Sequence, residues 1–259
     1  MTRTLLIIAG AALVLCLACL GGAAALGGRD MARNGWAWTL QEGDGDSVRF
    51  ERVNGARTVG PDVTRNLAWD GQDSLRIEDS LNVVFVQGAQ AGIVVTGPQD
   101  AVDRVVVTGG RISLKDGNER VTFGFRPGGA EIWADSERVR ITVTAPNVSR
   151  FAVEGSGELD IQNYDHDDLR VDINGSGEVT ATGKARRLAL SINGSGDADL
   201  AALTLTDADV DIAGSGEARV GPTGEADISI TGSGDVTLTE RPTKVSRAIS
   251  GSGDIRESF

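Results

Sequence analysis

The sequence predicts an all-β chain wound as a parallel β-helix, a β-solenoid with coils of about 19 residues. Three observations predict it. After position 30 the apolar residues fall in short β-branched runs bounded by Gly, Pro, Asp or Asn, and no long window carries the 3.6-residue period of a helix. Aromatic residues make up only 4% of the chain, so the core must be Val, Ile, Leu and Ala, which suits many short layers. Above all, Gly-Ser-Gly begins at Gly155, Gly175, Gly194, Gly214, Gly232 and Gly251, at spacings of 20, 19, 20, 18 and 19 residues.

The chain opens with Arg3 and an uncharged, apolar run over residues 4–28. Three readings fit residues 1–28: a cleaved secretory signal peptide, a retained membrane anchor, or a lipoprotein signal with lipidation at Cys19. Ala18 suits lipidation; Cys16 and Leu17 do not. All three put the folded part outside the cytoplasm. Cys16 and Cys19 are the only cysteines, which leaves the remainder without a disulfide or a Cys-ligated metal.

Residues 29–66 are polar and glycine-containing, and read as a lead-in or stalk with one strand near Val48–Val53. From Leu67 the strand signals are dense: "SLRIED", "LNVVFVQG", "AGIVVTG", "DRVVVTGG", "RISLKDG" and "RVRITVTAP". Residues 67–150 read as an irregular first part that caps the stack and shields its edge. Residues 151–258 read as the regular repeats of the same single domain, 67–258.

Each repeat is two alternating strands meeting at Gly-Ser-Gly. Two residues before the triplets stand Val153, Ile173, Ile192, Ile212, Ile230 and Ile249; two further back stand Phe151, Val171, Leu190, Val210, Ile228 and Arg247. After each triplet comes an acid and then an apolar residue. A 19-residue unit cannot bury its own apolar face, but stacked units place Ile on Ile and Val on Val about 4.8 Å apart. Strands so stacked run parallel, and the crossover rule makes the winding right-handed. An antiparallel sandwich of hairpins gives no reason for one identical corner at every second strand.

Gly-Ser-Gly itself reads as a corner, where glycine supplies positive φ or close backbone approach. Its serines, Ser156, Ser176, Ser195, Ser215, Ser233 and Ser252, are then expected as a stacked ladder. A phosphate loop would open a helix and carry a Lys, and neither follows here. A serine nucleophile needs a base, and the only histidine, His166, lies in the acidic turn "NYDHDD". RTX-type calcium rolls need twice this density of Gly-x-Gly-acid loops.

The candidate site is the acidic ladder: Glu158, Glu178, Asp197, Glu217, Asp235 and Asp254. Carboxylates about 4.8 Å apart repel by roughly 1 kcal/mol per neighbouring pair even in water. They either splay into solvent as a solubilising face, bind cations weakly, or dock a basic partner. No catalytic residue, cofactor site or committed metal site is read. Trp36, Trp38, Trp69 and Trp133 are candidates for sugar stacking but fit packing better, and Glu158/Asp160 and Asp197/Asp199 resemble a glycosidase or lyase pair only in spacing.

Charge narrows the partners. Residues 151–259 carry 20 acids and 9 bases, a net of −11, while residues 1–150 carry 17 and 16, a net of −1. Nucleic acid and anionic lipid are excluded as partners of the acidic half.

The segment "DSLNVVFVQGAQAGIVVTGPQDAVDRVVVTGGRISLKDG", then "VRITVTAPNVSRFAVEGSGELDI", then serial Gly-Ser-Gly-acid units, resembles the bacterial putative autotransporter adhesin-head family, the GIN domain, over residues 67–258. The resemblance implies a parallel β-helix and exported, envelope-attached members; it brings no catalytic residues. The chain departs from an autotransporter in carrying no C-terminal translocator barrel, which favours a periplasmic or membrane-tethered location. The expected function is a non-enzymatic cell-envelope module, adhesion-like, meeting an envelope protein or glycan, with membrane attachment through residues 4–28 only. Alternatives are a carbohydrate-binding or polysaccharide-cleaving β-helix, and a structural spacer without ligand.

Overall fold

The computed structural model describes residues 36–43, 47–53, 62–115, 120–126, 129–134 and 138–259; over 36–53 and 120–134 the description is of backbone pairing. Cys16, Cys19 and residues 4–28 lie outside the described residues. Two compact units are present: one of Met1–Thr58 with Arg120–Trp133, the other of Val59–Glu119 with Ala134–Phe259.

The first unit is a four-stranded sheet. β1 (Trp36–Gly43) pairs antiparallel with β2 (Ser47–Val53) and with β9 (Arg120–Arg126), and β10 (Gly129–Ala134) flanks β9. The lead-in thus carries β1 as well as a strand over Val48–Val53. Its signal was the alternation Trp36, Trp38, Leu40, diluted by the acidic glycines that follow.

The second unit is the solenoid, of about five turns. On one side lie β5 (Asn82–Gln87), the first parts of β13 (Glu158–Gly175), β14 (Glu178–Gly194) and β15 (Asp197–Gly214), then β16 (Glu217–Pro222), β18 (Asp235–Leu238) and β20 (Asp254–Glu257). On another lie β4 (Ser74–Ile77), β12 (Arg150–Gly155), the last parts of β13, β14 and β15, then β17 (Glu225–Gly232) and β19 (Lys244–Gly251). Every neighbour in both series is parallel, which rules out the hairpin sandwich.

The register stacks like on like. Ile77, Val153, Ile173, Ile192, Ile212 and Ile230 form one inward column, and Leu75, Phe151, Val171, Leu190, Val210 and Ile228 form the next. None of the twelve is more than 2% exposed. Each such side chain contributes about 1.5–3 kcal/mol on burial, so the columns are the main cohesion of the stack.

The corner explains the glycines. Gly194 has φ +132°, and a Cβ there would lie 2.3 Å from the carbonyl oxygen of Gly175 on the rung below. The third residue, Gly196, is buried, and a Cβ there would sit 2.6 Å from Cγ2 of Ile173. This close approach lets Ser195 N–H donate to Gly175 O at 2.9 Å and Asp197 N–H to Gly177 O at 3.0 Å. The serines do stack, but through these backbone bonds; all six are exposed.

The two ends of the solenoid are built differently. At the N-terminal end β11 (Arg140–Ala145) lies parallel on β5, and then β6 (Gly92–Pro98) and β3 (Asp62–Leu67) add antiparallel. On the other side β8 (Arg111–Leu114) pairs parallel with β4, and β7 (Val105–Thr108) folds back on β8. The short helix α1 (Gln99–Val102) buries Ala101 and Val102. At the C-terminal end one inward column on each side stops in charge, while Ile249 stands in register on Ile230 and is exposed. Arg247 stands in register on Ile228, Glu257 in register on Leu238, and Arg247 Nη2 donates to Glu257 Oε1. Arg241 stacks 4.9 Å over the ring of Phe259.

Candidate functional site: the acidic ladder and the groove at its head

Strand pairing brings the six ladder residues into one unbroken column. Glu158 pairs with Glu178, Glu178 with Asp197, Asp197 with Glu217, Glu217 with Asp235, and Asp235 with Asp254. They alternate with the buried Leu159, Val179, Ala198, Ala218 and Val236 of the same strands, so the ladder faces outward.

The six are not equivalent. Asp197 Oδ1 accepts the N–H of Glu217 at 3.1 Å, and Asp235 Oδ1 accepts the N–H of Asp254 at 2.9 Å. Arg256 lies 3.1 Å from Asp235 and 3.2 Å from Asp254. The shorter Asp side chains therefore cap the next rung. Among the described residues Glu158, Glu178 and Glu217 pair with no base, and their longer stems carry the charge outward. Also among the described residues, no three His, Cys, Asp or Glu side chains are placed to hold a metal ion.

The column continues past the acids into Asn82 on β5 and Arg140 on β11. A groove of about 420 Å³ opens at this head, where Arg138, Arg140 and Asn82 meet Glu158, Asp160 and Glu178. Sequence reasoning missed the two arginines. They sit in the run "ERVRITVTAP", but their place depends on β11 stacking on β5 and β5 on β13, across 50 and more residues of chain.

The other candidates are placed as follows. Asp160 accepts bonds from Gln162 Nε2 at 2.6 Å and Thr180 Oγ1 at 3.1 Å. Asp199 accepts the N–H of Ala201 at 3.2 Å and lies 4.0 Å from Arg219. These second members of the acid pairs thus tie rungs together. His166 Nε2 donates to Pro146 O at 2.8 Å, beside the Tyr164 ring. Trp69 packs against the core. Trp36, Trp38 and Trp133 lie on β1 and β10, their side chains outside the described set.

Acids elsewhere are differently used. Asp165–Lys184 at 3.0 Å and Asp168–Arg187 at 2.6 Å link the first two regular rungs as exposed pairs that solvent screens. The Arg187 bond holds the Asp168 carboxyl below its ordinary range. Asp209 behaves oppositely: partial burial, then the charges of Asp211 and Asp227, raise its carboxyl. A raised carboxyl binds its proton more tightly folded than unfolded, so Asp209 opposes folding as pH climbs through the carboxylate range.

With the geometry in place, the comparisons decide the family. Residues 72–242 match the family described as "Putative auto-transporter adhesin, head GIN domain". The chain belongs to this family. No curated protein matches it. Among solved structures, a putative adhesin from Bacteroides fragilis aligns with TM-score 0.57 and 18% identity, over 76% of this chain and 96% of that one. A putative adhesin from Parabacteroides distasonis aligns with TM-score 0.45 and 16% identity, over 76% and 97%. The first likeness shows that this GIN-domain chain shares its fold. Family membership fits an exported or cell-surface protein. No helix among the described residues is long and apolar enough to cross a membrane.

Proposed function

We propose that this GIN-domain protein is a non-enzymatic, adhesion-like interaction module of the cell envelope, and that the acidic ladder with its head groove is the docking face. The observation that carries the reading is the register: one carboxylate per rung over six rungs, three of them glutamates without a basic partner among the described residues. Such a column attracts a partner that presents positive charge at intervals, an envelope protein or an amino-bearing glycan, and it speeds encounter more than it adds affinity. The engaged state of Asp160 and Asp199 weighs against the lyase or hydrolase alternative. The module is exported, to the periplasm or cell envelope, with residues 4–28 directing or anchoring it.

The test is binding of a lysine-rich peptide to the wild-type chain and to the triple variant Glu158→Gln, Glu178→Gln, Glu217→Gln. These side chains are solvated, so the fold is retained. The variant is expected to lose about tenfold in affinity at low salt, and the wild type is expected to lose the same advantage as ionic strength rises. Equal affinities, or a neutral polysaccharide bound more tightly than the peptide, would replace this reading with the carbohydrate one.

A further inference from the structure

Along this solenoid, unlike charges that stand one rung apart close on each other. Asp165 pairs with Lys184 at 3.0 Å, Asp168 with Arg187 at 2.6 Å and Glu225 with Lys244 at 3.2 Å, each across a single strand pairing. The head of the ladder breaks this pattern. Its outward column runs Arg140, Asn82, Glu158 and Glu178 in consecutive rungs. A neutral rung thus separates the arginine from the first glutamate. At about 4.8 Å per rung, Arg140 stands about 10 Å from Glu158 and about 14 Å from Glu178. Arg138, half-buried, lines the same groove of about 420 Å³. Among the described residues no carboxylate meets either guanidinium, and no base meets either glutamate.

Between the charges the wall turns apolar. Val84 is half-buried in the neighbouring outward column, on the rung of Asn82, with Thr142 on one side and Asp160 on the other. The groove therefore offers, in order, two cations, an apolar patch beside one amide, and two anions. A ligand that fits it carries an anionic group, an aliphatic stem and a cationic group in line. A lysine at the carboxyl end of a chain is built this way. Its carboxylate and Nζ lie about 7 Å apart when the side chain is extended. A hydrogen bond at each end brings the span to about 13 Å, between the two-rung and three-rung steps of the column.

We propose that the head groove binds the carboxyl-terminal lysine of the partner's chain, with the carboxylate held by Arg138 and Arg140 and Nζ held by Glu158 and Glu178. The inference rests on the reading of the ladder as a docking face and gives that face a direction. The partner's chain end is fixed at the head, and its other positive charges meet the ladder below. The planar fork of arginine suits a carboxylate, which it grips with parallel bonds. The lysine stem packs on Val84 while its ammonium stays in water among the glutamates.

The experiment measures binding of one lysine-rich peptide ending in Lys, made with a free carboxyl terminus and as its amide, to the full chain by calorimetry. Bulk attraction to an acidic column favours the amide, which carries one more net positive charge. The proposal expects the opposite order, with the free acid bound about tenfold tighter through its charge-assisted bonds. In the variant Arg138→Gln, Arg140→Gln this preference is expected to vanish while the amide binds at least as well as to the parent, which also reports that the variant is folded. If the double variant folds poorly, the order of the two peptides on the parent decides. An amide that binds the parent as tightly as the acid overturns the proposal and leaves the ladder reading standing. A preference for the acid that survives in the folded double variant overturns it as well. Failure of both peptides to bind the parent overturns the ladder reading together with it.

Discussion

Gly194→Val lowers the melting temperature by roughly 8–15 °C, while Ser195→Ala moves it by less than about 2 °C. The asymmetry follows from what each residue meets. Gly194 sits at φ +132°, where L side chains carry strain, and its added Cβ would press to 2.3 Å on a backbone carbonyl. Backbone cannot rotate away as a side chain can. The rung must rise, and the bond from Ser195 N–H to Gly175 O and the Ile192–Ile173 contact loosen with it. Strain and loosened packing together cost about 3–5 kcal/mol. Ser195 contributes its backbone N–H to the stack, which Ala retains, and its hydroxyl is exposed. Thermal unfolding followed by circular dichroism checks both. Equal shifts for the two variants would refute the corner model.

Arg247→Val with Glu257→Leu is expected to promote end-to-end stacking of the chain through its last rung. In every lower rung these two positions are apolar and buried, as at Ile228 and Leu238. In the last rung they are charged and bonded to each other. A rung laid on them from any source would have to desolvate both charges, a cost its contacts do not offset. Inward-pointing charge at a sheet edge is a known guard against edge-to-edge pairing. The double variant removes the guard and offers two apolar side chains per copy, each contributing about 1.5–3 kcal/mol on burial. Association at this end should strengthen on the order of 10³-fold or more. Light scattering at rising concentration is expected to show dimers or larger species for the double variant and none at the same concentration for the parent. A variant that stays at the parent's mass would mean that the pair is not what closes this end.

Much of the fold was legible because the repeat is short and its offsets are constant. Counting back two and four residues from each Gly-Ser-Gly finds the two inward columns, and counting forward one finds the ladder. Arg247 was already visible as a break in the second column. Its partner was not, since Glu257 belongs to the opposite strand of the rung and no offset within one repeat links the two. The same limit hid the groove at the ladder's head. Arg138 and Arg140 look like ordinary alternating charges until β11 is known to stack on β5. The first sheet was hidden for a different reason. β1 and β9 are about 85 residues apart, and each shows only a few alternating residues beside polar, glycine-containing chain. Local pattern identifies a strand but not its partner.

The central claim is that the six carboxylates stand on one axis, one per rung. Distances between spin labels at paired cysteines, in a chain with Cys16 and Cys19 replaced by Ser, test it most directly. Glu158 and Asp254 are five rungs apart, so labels there should lie about 24 Å apart at 4.8 Å per rung, and labels at Glu178 and Asp254, four rungs apart, about 19 Å. A separation that grows by one spacing per rung is the predicted result. Separations that fail to rise with rung number would contradict the stack, and with it the ladder.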